Sequence, residues 1–106
     1  MPEIKRGSKN VYADLDYQNA DEMLIKAKLV SKINEIINAR QWTQQQASEV
    51  IEIPRPKLSN ILNGQFRGVS EAKLMECLVK LGRNVRIVVS EEEFDEKMTS
   101  MEVVFA

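Results

Sequence analysis

Two short helical patterns meet in the run Thr43 to Gly64, TQQQASEVIEIPRPKLSNILNG, and only a sharp corner between helices accommodates so brief a connection. Thr43 is a good N-cap, and Gln46 three residues later completes a capping box, with Trp42 just ahead placed to staple onto the first turn. Ala47, Val50 and Ile51 then recur at helical spacing as inward positions. Glu52-Ile53-Pro54 interrupts the period, and a second helix follows with Leu58, Ile61 and Leu62 inward and Asn63-Gly64 as its left-handed stop. Pro56 falls in the first turn, where its missing N–H has no helical partner. The outward face of this second helix reads Arg55, Lys57, Ser59, Asn60 and Asn63, a set of donors for phosphates and base edges with no carboxylate among them.

Such a pair is a helix-turn-helix, a unit that places its second helix in the major groove of DNA. The run resembles the Xre/lambda-repressor-like family in Thr43-Gln44 at the start of the first helix and Ala47 facing the second. The likeness continues in Ile53 in the turn, Leu58-Ser59 in mid-helix and Asn63-Gly64 at the end, all without a gap. Three positions depart from the family pattern. Glu52 stands where a turn glycine is usual and is expected to be held at positive φ, at a cost of order ~1 kcal/mol. Pro54 replaces a serine cap, and Leu62 replaces a common glutamate. The resemblance and helix geometry together imply that Arg55, Lys57, Ser59 and Asn60 face the major groove, Arg55 suiting a guanine and Asn60 an adenine. Gln44 would offer its side chain and nearby backbone N–H groups to a phosphate, with Gln45, Asn63, Gln65 and Arg67 as further backbone contacts.

Composition excludes several other classes. At 106 residues and 43% apolar, the chain suits one domain with a single core. One cysteine and no histidine leave no internal disulfide, no Cys/His zinc set and no Ser-His or Cys-His pair, so neither an enzyme nor a metal or cofactor is expected. The apolar stretches are short and MPEIKRGSK has no h-region, which points to a soluble, cytoplasmic protein without a membrane partner.

The net charge of −1 looks wrong for a DNA binder until it is divided along the chain. Arg40, Arg55, Lys57 and Arg67 against Glu49 and Glu52 give residues 40–67 a charge of +2. Lys73, Lys80, Arg83 and Arg86 against Glu71 and Glu76 give residues 68–90 another +2. Residues 91–106 carry −5 from Glu91, Glu92, Glu93, Asp95, Glu96 and Glu102 against Lys97, and residues 1–39 balance to zero. Screening confines exposed charges to roughly 10 Å at moderate salt, so a basic face can coexist with an acidic tail.

The chain divides into an arm over residues 1–18, a helix-turn-helix domain over 19–83, a strand over 84–90 and an acidic tail over 91–106. The arm lacks periodicity, although Val11, Tyr12, Leu15 and Tyr17 could pack on something. Asn19 is expected to cap a long first helix with Glu22 at the box position and Met23, Ala27, Val30, Ile33 and Ile37 as its buried stripe. Ser70 caps another helix with Leu74, Leu78 and Leu81 inward and Gly82 at its stop, and Cys77 and Met75 read as core fillers. After Gly82 the period changes to two, and Val85 to Val89 reads as a β-strand. Its economical partner is the same strand in a second copy, through Val85, Ile87 and Val89; the alternative is the apolar end Met101 to Phe105 of its own chain. Ser90 to Glu93 is itself a capping-box pattern for a short acidic helix.

The fold class expected is therefore mainly α, a lambda-repressor-like bundle with a C-terminal strand for dimerisation. Residues 10–89, from Asn10-Val11-Tyr12-Ala13-Asp14-Leu15 to the exit Leu81-Gly82-Arg83-Asn84-Val85-Arg86-Ile87-Val88-Val89, resemble one branch of that family. Its members look like small antitoxins encoded beside ribonuclease toxins of the RelE/HigB type. The resemblance implies a homodimer that represses its own operon at a palindromic operator and binds a toxin. The rival expectations are a phage-type repressor without a toxin, or a protein-interaction module that keeps the helix-turn-helix only as scaffold. The acidic tail, with Phe94, Met98, Met101, Val104 and Phe105, and the N-terminal arm are both candidate toxin-binding elements.

Overall fold

The computed structural model describes residues 17–106, with side chains from Ala20 onward. Four α-helices are present among them: α1 (Tyr17–Ala39), α2 (Gln44–Ile51), α3 (Arg55–Leu62) and α4 (Glu71–Lys80), followed by a 3₁₀ turn at Glu96–Met98. The arm expected over 1–18 lies outside the described residues except for its last two positions, which are helical. Asn19 is therefore inside α1 and not ahead of it, a correction to the expected cap. Ala20 is fully buried and extends the apolar stripe toward the N-terminus, so packing overrides the local capping signal.

The long helix α1 is the spine. It packs most extensively on α4 and also on α3, while α2 packs on both α3 and α4. Its stripe is broader than the spacing alone implies: Leu29 and Ile36 are buried beside Met23, Val30, Ile33 and Ile37, whereas Ala27 is only partly covered. Ala47, Ile51 and Ile53 from α2 and the turn, Leu58 and Ile61 from α3, Phe66, and Leu74, Cys77, Leu78 and Leu81 close the core. Two expected core positions differ. Val50 is 40% exposed, because Ser48 takes the inward place instead, and Leu62 is half-buried at the edge of the core. Met75 also packs at that edge, and Cys77 is buried, where desolvation pushes its thiol up from the ordinary value.

Each helix ends on a residue at positive φ. After α3 and α4 these are Gly64 at +105° and Gly82 at +90°, as the sequence leads one to expect. In both cases the glycine N–H and the next N–H fold back onto the last turn, from Gly64 to Ile61 (3.1 Å) and Gln65 to Asn60 (2.8 Å), and from Gly82 to Val79 (2.9 Å) and Arg83 to Leu78 (3.0 Å). After α1 and α2 the same role falls to Gln41 at +58° and Glu52 at +66°, neither of which has glycine's freedom. Arg40 ties two of these ends together, donating to the Leu81 carbonyl at 2.6 Å while its guanidinium lies 4.9 Å from the Trp42 ring.

No strand is found among the described residues, which corrects the expected strand at 84–90. A ladder needs a second strand opposite, and residues 101–105 do not supply it, so the own-chain pairing is also excluded. Val85 leans on the core, but Ile87, Val88 and Val89 are at least 79% exposed, both alternating faces open to solvent. Nor does Ser90 start a helix; its hydroxyl bonds the Glu92 carbonyl at 3.1 Å, and the only helical turn of the tail comes later, at Glu96–Met98. Six carboxylates in the tail oppose a compact acidic helix without a partner to neutralise them. The chain end instead returns to α1, where Met101 to Val103 lie beside Leu24, Ile25 and Lys28. Lys28 donates to the Val103 carbonyl at 3.5 Å and the Lys32 ammonium sits 4.6 Å from the Phe105 ring.

Candidate nucleic-acid interface

Local chemistry positions α2. The Thr43 hydroxyl accepts from the Gln46 N–H at 3.1 Å and the Gln46 side chain accepts from the Thr43 N–H at 2.8 Å, so the capping box read from the sequence is formed in full. Trp42 is half-buried against the core just ahead of it. Only two of the N-terminal donors of α2 are needed for this box, and Gln44 and Gln45 stand on its first turn at the surface, Gln45 donating to Glu49 at 3.3 Å.

The corner between α2 and α3 is organised by a residue the sequence reading missed. Ser48 is buried; its carbonyl accepts from Glu52 N–H at 2.7 Å and Ile53 N–H at 3.3 Å, and its hydroxyl donates to the Ile53 carbonyl. Ser48 thus satisfies both backbone groups of Ile53, the N–H with its own carbonyl and the carbonyl with its hydroxyl, and lets that residue turn into the core. The available signal was a serine next to Ala47 on the inward stripe, which is a costly place for a hydroxyl unless a backbone group awaits it. Outside the corner, Glu52 pairs with Lys80 of α4 at 2.8 Å. The hydrogen bond and charge of Lys80 hold the Glu52 carboxyl below its ordinary value, and Glu52 in turn raises Lys80.

Helix α3 begins without a side-chain cap, since Pro54 occupies the cap position at φ −53° and Pro56 the first turn. Both proline rings restrict the backbone as the helix starts, which fixes its entry where a serine would otherwise hold it by a hydrogen bond. With Leu58 and Ile61 buried, a helix advancing 100° per residue puts Pro56, Asn60 and Asn63 along the outward line, flanked by Lys57 and Ser59. Arg55 occupies the first turn. Arg55, Lys57, Asn60 and Asn63 are exposed and Ser59 is half-exposed, and no carboxylate lies on the helix. Beyond it Gln65 and Arg67 are exposed on the loop to α4, which Phe66 anchors by burying its ring between them.

That loop has a second anchor. Lys26, on the inward side of α1, is 7% exposed and donates to the Arg67 carbonyl at 2.8 Å. It was not singled out from the sequence, although a lysine three residues after Met23 and four before Val30 breaks the apolar stripe and is the sign that could have found it. Among the described residues no group of acidic, cysteine or histidine side chains could hold a metal, and no helix is long and apolar enough to cross a membrane.

A pair of short helices joined by a tight turn and braced by a long one, with an exposed acid-free second helix, defines the helix-turn-helix class of DNA-binding folds. The chain belongs to the family described as "Helix-turn-helix domain", whose model matches residues 11–90. It is similar to a solved structure described as an XRE family transcriptional regulator, at 29% identity and a TM-score of 0.75, covering 82% of this chain and 98% of that one. No curated protein matches it.

Proposed function

We propose that this protein is a sequence-specific, DNA-binding transcriptional regulator whose helix α3 enters the major groove. The observation that carries the reading is the exposed face of α3, where Arg55, Lys57, Ser59 and Asn60 present donors without a competing carboxylate. Gln44 and Gln45 at the start of α2, Asn63 at the end of α3 and Gln65 and Arg67 in the following loop supply the phosphate contacts that set the docking register. The similar XRE-type structure supports the same reading.

The working form is a homodimer on a palindromic operator. What supports it is the run Ile87 to Val89, apolar, exposed and without a ladder among the described residues, with Val85, Ile87 and Val89 as pairing positions in a second copy. An autoregulatory antitoxin that neutralises a ribonuclease toxin is the specific role favoured by the resemblance of residues 10–89. The exposed acidic tail, carrying −5 over residues 91–106, suits the basic cleft of an RNA-cleaving partner.

A mobility-shift series with the gene's own promoter and a scrambled duplex tests the main claim. Arg55→Ala is expected to cost roughly 1–3 kcal/mol and relax preference at one base pair, whereas Gln44→Ala weakens both duplexes alike. Equal affinity of the wild-type protein for the two duplexes overturns sequence-specific regulation. Removal of residues 91–106 is expected to abolish toxin retention in a pull-down while operator binding persists; full retention would move the toxin contact to the arm.

A further inference from the structure

We infer that Lys26 is a positioning residue for DNA binding, acting from inside the protein through the backbone of Arg67. This rests on the DNA-binding reading above and extends it to a residue that touches no nucleic acid.

The loop from Asn63 to Ser70 joins α3 to α4 and must hold Arg67 outward over a surface that has no regular structure. Its first half is fixed by the end of α3, through the Gln65 N–H to Asn60 bond, and its middle by the buried Phe66 ring. At Arg67 itself the backbone carbonyl points inward and receives the Lys26 ammonium at 2.8 Å. With the Phe66 side chain on one side and that carbonyl on the other both committed to the interior, the Arg67 side chain is left facing solvent, and it is exposed.

A buried lysine is a poor choice for stability alone. Its stem covers apolar surface as methionine would, but the ammonium loses hydration, and removing such a charge in favour of an apolar chain of similar size is often neutral or favourable for folding. The Arg67 carbonyl is the ammonium's one hydrogen-bond partner among the described residues. What the lysine adds over methionine is a definite orientation of one peptide unit, and the residue so oriented carries an exposed guanidinium beside the recognition helix. A flexible arginine loses more side-chain and backbone freedom on meeting a phosphate than one already held in place.

The test is a double-mutant cycle read by the salt dependence of operator binding. Each phosphate contact contributes a slope of about −0.9 to the plot of log K against log salt. Arg67→Ala and Lys26→Met are each expected to make the slope shallower by up to that amount and to weaken promoter and scrambled duplexes equally, by roughly ten-fold at moderate salt. The double variant should bind no more weakly than Arg67→Ala alone, and Lys26→Arg should restore the wild-type slope. Circular dichroism and thermal melting of each variant accompany the titrations; if Lys26→Met does not fold, Lys26→Gln, polar but a bond too short for the carbonyl, is read in its place.

A folded Lys26 variant with the wild-type slope, or losses that add in the double variant, would overturn the inference and leave the DNA reading intact. Wild-type protein without salt-dependent affinity for any duplex would defeat the reading and the inference together.

Discussion

In the run from Thr43 to Gly64 the apolar side chains Ala47, Ile51, Ile53, Leu58 and Ile61 are buried, whereas between Ile87 and Phe105 the comparable residues Ile87, Val88, Val89, Met98, Met101 and Val104 stay exposed. Both regions are rich in apolar residues. The first meets its partners within the chain, because a helical stripe against α1 and α4 needs nothing from outside. The second carries a two-residue period, which is satisfied only by another strand, and the described residues offer none. An apolar pattern thus states what a segment can bury against, and the fold decides whether that surface exists in one copy.

Core substitutions should show the contrast at its largest. Leu58→Ala is expected to cost about 2–5 kcal/mol in urea unfolding, while Val88→Ser should stay within about 0.5 kcal/mol. A comparable loss from both would break the comparison by placing residues 84–89 in the monomer's core.

Ile87→Pro comes next. If this segment pairs in the dimer, the substitution removes a backbone donor and sedimentation should show a monomer, with operator affinity reduced by about a hundred-fold as each half-site binds alone. The melting temperature should fall only to that of the monomeric bundle and lose its dependence on protein concentration. A variant that stays dimeric with wild-type affinity places the interface elsewhere.

Helix ends sharpen the comparison within the bundle. Gly82→Ala, at φ +90°, is expected to destabilise by about 1–2 kcal/mol, whereas Gln41→Gly should stabilise by up to about 1 kcal/mol, since the same backbone is strained for a residue with a Cβ. Thermal melts of the two variants should therefore move in opposite directions.

The smallest effect concerns the corner. Glu52 has its carboxyl lowered by Lys80, so the pair's contribution is complete above the ordinary carboxylate value and is lost as pH falls through the lowered one. At the alkaline end the raised Lys80 keeps it until pH climbs past that group's own shifted value. Glu52 is exposed and Lys80 partly so, which leaves the pair salt-screened, so Glu52→Gln should only flatten the acid limb of the stability profile, by an amount that shrinks in high salt. An unchanged acid limb would show that the ion pair does not hold the corner.

By itself the sequence determined the two helices of the motif, the capping box of Thr43 and Gln46, the Ser70 cap, the stops at Gly64 and Gly82 and the left-handed Glu52. These are local: capping, period and backbone handedness act within a few residues, so their chemistry is printed in the order of the chain. The exposed face of α3 was legible for the same reason, because burying Leu58 and Ile61 fixes which residues remain outside. Tertiary structure alone decided that Val50 yields its inward place to Ser48, that α1 runs through Asn19, that Lys26 reaches a carbonyl 41 residues away, and that the C-terminal segment lies on α1 instead of forming a strand. Each of these depends on what another part of the chain presents at the point of contact, and no periodicity along one segment encodes the surface that faces it.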